Sequence, residues 1–126
     1  MTATSGNYRG SKEYMLVYCE LIKAARYRGT TTYQAIAEII GLSPEGSESN
    51  EEVHQMLDEI SAEELRNHRP LLSALAVGMT GLPGPGFFEL ARELGKLQDG
   101  SIGVERRFWE AERASVYATW RREFQT

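Results

Sequence analysis

Residues 70–78 read PLLSALAVG, and the choice between helix and strand over this stretch settles the fold class. Leu71, Leu72, Ala74, Leu75, Ala76 and Val77 form a short apolar run bounded by Pro70 and Gly78. Its length suits a buried strand, because a buried helix usually needs ten residues or more. It is the best strand candidate in the chain. Downstream, Gly78 to Gly86 (GMTGLPGPG) holds four glycines and two prolines and reads as a loop. Phe87, Leu90, Ala91 and Leu94 then lie on one helical stripe, stopped by Gly95, with Leu97 placed for the hydrophobic contact of a Schellman close. After an Asp99-Gly100 turn, a helix from Val104 to Phe124 turns Trp109, Val116, Tyr117, Trp120 and Phe124 toward the core. Arg106 and Arg107 fall near Glu110 on its polar side.

Upstream the pattern is also helical. Ser11 caps a helix whose stripe is Tyr14, Val17, Tyr18, Leu21, Ile22 and Ala25, with Arg26 and Arg28 in the last turn and Gly29 placed for the left-handed close. Thr31 and Gln34 have capping-box spacing before Ile36, Ala37, Ile39 and Ile40, and Gly41 ends that short helix. Leu42 to Asn50 reads as a loop. Ser49 with Glu52 caps a third helix bearing Val53, Met56, Leu57 and Ile60, and Ser61 with Glu64 opens a fourth or a kinked continuation toward Arg69. The expected fold is α+β and mainly helical: five or six helices around a short buried strand or small hairpin, part of it a helix-turn-helix or winged-helix-like core.

A length of 126 residues fits one domain, with residues 1–10 a flexible tail and 11–126 a single globular body. No apolar run is long enough to span a bilayer, no secretory core opens the chain, and Cys19 is the single cysteine, so the expected setting is cytoplasmic and reducing. The net charge of −4 conceals a segregation. Residues 29–65 contain acids from Glu38 to Glu64 but no Lys or Arg, whereas residues 1–28 are basic on balance. An outward-facing acidic segment repels phosphate backbones.

Thr31-Thr32-Tyr33-Gln34-Ala35-Ile36-Ala37, with Gly41 closing the helix and Pro70-Leu71-Leu72 entering a strand, resembles the winged-helix DNA-binding domain of alkylguanine-DNA alkyltransferases and alkyltransferase-like proteins. The resemblance covers Thr30 to Val77 and implies a helix-turn-helix that could sit in a DNA groove. The family's Pro-Cys-His-Arg motif is absent from Leu71 to Val77, which excludes alkyl transfer. Its recognition helix presents small residues and an arginine; here the equivalent helix presents Glu51, Glu52, His54, Asp58 and Glu59. The longer pattern RPLLSALAV followed by GLPGPGFFELARELGKL is similar to a group of small uncharacterised bacterial proteins.

No catalytic motif emerges. The loop Gly81-Leu82-Pro83-Gly84-Pro85-Gly86 precedes a helix whose free N–H groups suit an anion, but Phe87 and Phe88 stand where a phosphate loop has Lys and Ser or Thr. If it forms a ligand site, Tyr33, Gly81, Gly84, Gly86, Phe87 and Phe88 line it. Cys19, sharing a face with Met15 and Ile22, reads as a small buried hydrophobe. His54 with Glu51 and Asp58, and His68 with Glu64, have helical pair spacings that read as surface ion pairs, so neither metal nor cofactor is expected. Arg121 and Arg122 suit an acidic partner or a basic helix end. The first functional expectation is a non-enzymatic interaction or regulatory protein with a protein partner or homodimer. The alternatives are a DNA-binding regulator contacting phosphates through Arg26, Arg28, Arg66 and Arg69, and a small-ligand sensor using the glycine-proline loop.

Overall fold

The computed structural model describes residues 8–98 and 100–121, apart from the side chain of Glu48. Its elements follow in the order α1 (Lys12–Arg26), β1 (Thr31–Thr32), α2 (Tyr33–Ile39), α3 (Glu51–Arg66), β2 (Ala76–Val77), α4 (Pro85–Glu93) and α5 (Ile102–Trp120), with 3₁₀ turns at Ser47–Ser49 and Leu72–Leu75. The fold is α+β and mainly helical. β1 and β2 pair in parallel, Thr31 opposite Ala76 and Thr32 opposite Val77, so the strand's partner lies far back in the chain rather than in a hairpin. No helix among the described residues is long and apolar enough to cross a membrane.

The run from Leu71 to Val77 is only partly a strand. Most of it is a 3₁₀ turn, and only Ala76 and Val77 are extended. The physical reason is visible in the packing. Leu71, Ala74 and Val77 belong to one buried cluster with Phe87, Ala91, Leu97 and Trp109, whereas Leu72, Leu75 and Ala76 belong to another with residues of α1, α2 and α3. A repeat near three residues per turn sends apolar side chains to both clusters, which a strand's alternation would not do. Ser73 faces neither cluster: its hydroxyl and that of Ser61 on α3 lie 2.7 Å apart. The buried backbone is satisfied by side chains from both flanking helices. The Ser73 amide donates to Ser61 Oγ at 3.1 Å, the Leu71 amide to Glu112 Oε2 at 2.8 Å, and Trp109 Nε1 to the Ala74 carbonyl at 2.8 Å.

The helix boundaries follow local chemistry with several shifts from expectation. Ser11 caps α1 through the Tyr14 amide, as its spacing predicts. The cap of α2 is Thr32 rather than Thr31, and that of α3 is Asn50 rather than Ser49, its side chain accepting from both Glu52 and Val53. α3 continues unbroken through Ser61, so of the two alternatives, a fourth short helix or a continuation of the third, the segment is a continuation. Gly41 and Gly95 take positive φ and close α2 and α4. At α1, however, Arg28 takes the left-handed position with φ 57°, and Gly29 instead donates to the Ala24 carbonyl at 2.8 Å. His68 does the same after α3, with φ 61°.

Two expectations about the termini are only partly covered by the described residues. Residues 1–7 of the expected tail lie outside them, but Tyr8 and Arg9 rest on α3: the Tyr8 amide donates to Glu59 Oε1 at 2.6 Å, and Arg9 pairs with Glu63 at 3.0 Å. In α5, Trp109 and Val116 are buried and Tyr117 donates to the Gly29 carbonyl at 2.9 Å, whereas Phe124 and Arg122 lie outside the described residues, as does Asp99 of the expected turn.

Candidate functional site

The glycine-proline loop is anchored rather than open. Gly81 turns it with φ +83°, the Gly78 amide donates to the Leu82 carbonyl at 2.9 Å, and the Gly84 amide donates to Tyr33 Oη at 2.8 Å. Pro85 occupies the first turn of α4, where its missing N–H costs nothing. Gly86 lies against His54: a Cβ there would sit 3.2 Å from His54 Nδ1. The same imidazole packs near Tyr33, with ring centroids 5.2 Å apart. The fold thus brings Tyr33, Gly84 and Gly86 together with His54. Phe87 is buried in the second cluster, and Phe88 packs edge-on against it, facing a separate shallow depression beside Trp109.

Beside this joint, α3 and α4 enclose a cleft of about 300 Å³ lined by His54, Asp58, Gly86, Glu89 and Glu93 among others. Burial pushes the Asp58 carboxyl up to about 6; His54 pulls it down, and Glu93, Glu89 and Glu59 add to the rise. The carboxylates of Asp58, Glu89 and Glu93 line this cleft, which makes it unfavourable for an anion. His54 is half-buried in the joint and acts electrostatically on Asp58. Among the described residues no group of three or more His, Cys, Asp or Glu side chains is arranged to hold a metal.

The acidic segment is less uniform than its composition implies. Glu64 has no exposed surface. Arg69 neutralises it, with Nη2 at 2.7 Å and Nε at 3.1 Å, and the Tyr18 hydroxyl donates to the same carboxylate. Burial and that bond push the Tyr18 hydroxyl well above the usual tyrosine range. Glu64 thus serves Arg69 and Tyr18, not the expected His68. Arg66 pairs with Glu63 at 2.6 Å, a bond that holds the Glu63 carboxyl below its ordinary range. Of the four arginines considered for phosphate contact, Arg66 and Arg69 are occupied, whereas Arg26 and Arg28 are exposed at the end of α1. Glu38, Glu45, Glu51 and Glu52 remain exposed.

The outer side of α1 differs from expectation most. Cys19 is exposed, not buried. Met15 and Leu16 beside it stand 55% and 44% exposed, and a groove of about 350 Å³ runs between Leu16, Cys19, Glu20, Lys23 and Ile39. The inward stripe of the same helix, Tyr14, Val17, Leu21 and Ala25, is buried as its periodicity predicts. A helix with one apolar stripe inside the core and a second facing water departs from the usual surface pattern. Glu112 and Ser73 carry no sequence signal, and Ser61 and Glu64 read as a helix cap, because nothing local distinguishes a buried carboxylate or hydroxyl from a solvated one. Comparison of the chain with protein-family models, curated proteins and solved structures finds no match.

Proposed function

We propose that this protein is a non-catalytic interaction module, acting in a reducing cytoplasmic setting, whose docking face is the outer side of α1. The supporting observation is the contiguous exposed stripe of Met15, Leu16 and Cys19 above the groove that reaches Ile39. Scattered exposed apolar residues are ordinary, but neighbours along one helix face beside a concavity favour a partner that removes them from water. The DNA-binding reading has less support, since α3 presents carboxylates and two of its four candidate arginines are paired within the molecule. The test is capture on immobilised protein with Leu16→Asp and Asp58→Asn compared. Partners retained by the parent and by Asp58→Asn, but lost with Leu16→Asp, support the reading; capture indifferent to Leu16→Asp, or no capture at all, overturns it.

A second reading, a small-ligand sensor, is favoured by the shifted Asp58 carboxyl beside His54 in the α3–α4 cleft, because perturbed titratable groups in clefts mark binding sites more often than chance. The lining favours amines over nucleotides. Thermal-shift screening with amines and with nucleotides tests it, and a Tm unmoved by any amine retires it.

A further inference from the structure

The chemistry of the partner can be read from the charges beside the α1 stripe, an inference that rests on the docking reading above. Lys12, Leu16, Cys19, Lys23 and Arg26 recur at three- and four-residue steps, the spacing of one helix side, and each is exposed. The bases stand at the two ends of the stripe and the apolar side chains between them. None of Lys12, Lys23 and Arg26 pairs with a carboxylate among the described residues. Against these three bases the helix carries two acids, Glu13 and Glu20, of which Glu20 accepts from Thr31 Oγ1 at 3.1 Å and lines the groove. α1 therefore keeps an excess of positive charge in a protein whose net charge is −4.

We infer that this face docks an acidic amphipathic helix of a partner protein, with the apolar side of that helix on Leu16 and Met15 and its carboxylates opposite Lys12, Lys23 and Arg26. A second copy docked by the same face would set two faces of the same net positive charge against each other across the two-fold axis. A phosphate backbone neutralises bases but offers no apolar ridge for Met15 and Leu16. An anionic membrane satisfies both chemistries, but the open depression between α1 and Ile39 of α2 is concave and suits a helix ridge better than a flat interface.

The test measures fluorescence anisotropy with two labelled synthetic helices of about 18 residues that share one leucine spacing, a length matched to the helix-in-groove mode, one carrying Glu and the other Lys at the flanking positions. The Glu helix is expected to bind about tenfold or more tightly than the Lys helix at low salt, with most of that advantage lost at about 0.5 M salt. Lys23→Glu combined with Arg26→Glu is expected to invert the preference, and Leu16→Ser to abolish binding of both. All these positions are exposed, and unchanged circular dichroism verifies the fold of each variant. Equal binding of the two helices, both lost with Leu16→Ser, sinks the acidic partner while leaving the docking face intact. A preference that survives the double charge reversal, or no binding of either helix, also overturns the inference. Vesicles of phosphatidylserine and phosphatidylcholine and a duplex oligonucleotide complete the set: binding of either that is abolished by Leu16→Ser assigns the face to that surface instead. If Leu16→Ser leaves both peptide binding and the capture of partners unchanged, the docking reading falls with it.

Discussion

Glu64 is a carboxylate without solvent access, and its charge is tolerable only because Arg69 and Tyr18 bind it. Removing one partner of such a pair is costlier than the pair is worth, since the remaining charge stays buried. Arg69→Met is expected to lower stability by about 3 kcal/mol, toward the low end because Arg69 is partly exposed. Adding Glu64→Gln to that variant should restore more than half of the loss in urea denaturation; no recovery would show that Arg69 acts through its packing over Trp120 instead. Arg28, held at φ 57°, is the second residue with a local cost. Arg28→Gly is expected to raise the urea midpoint by the equivalent of about 0.5–1 kcal/mol, and a decrease would mean that the arginine side chain makes a compensating contact. Neither feature is legible in the chain. Spacing alone could pair Glu64 with His68, and it placed the left-handed close on Gly29, one residue late, because Tyr27 rather than Arg28 caps the helix.

The joint between α3 and α4 carries the pH dependence. The folded-state pKa of Asp58, about 6, lies above its ordinary value of 3.8, so protonating it favours the fold. That contribution is complete below about pH 4 and is lost as the pH rises through about 6. Asp58→Asn is therefore expected to be more stable than the parent at pH 7.5 by about 1 kcal/mol, discounted for partial exposure, with the gap closing toward pH 4. Urea midpoints of the two proteins across that range check it, and parallel curves would show that water screens the cleft. Candidate residues were readable here only as fragments. The glycine-proline loop was recognisable as a turn-rich entry to α4, and Tyr33 as a neighbour worth naming, but His54 came to the same joint from a separate helix. Local sequence does not report which helices pack together, so neither the acidic lining nor its effect on ligand charge was accessible.

Leu71 to Val77 belongs to both apolar clusters at once, so the whole molecule should melt as one unit. Leu72→Ala in the first cluster and Leu71→Ala in the second are each expected to cost about 3 kcal/mol while keeping one transition. Circular dichroism and tryptophan fluorescence should give coincident midpoints in both variants; separated midpoints would divide the core in two. At this scale, periodicity and turn chemistry were enough to specify a helix-dominated α+β chain, the inward stripes of α1 and α3, and the stops at Gly41 and Gly95, because each depends on neighbours within a few residues. Packing was needed for the rest. An apolar run is compatible with a strand or a 3₁₀ turn until two clusters compete for its side chains, a carboxylate is solvated until another element covers it, and Cys19 with Met15 and Leu16 could be placed outside the core only once α2, α3 and α5 had occupied the other side of α1.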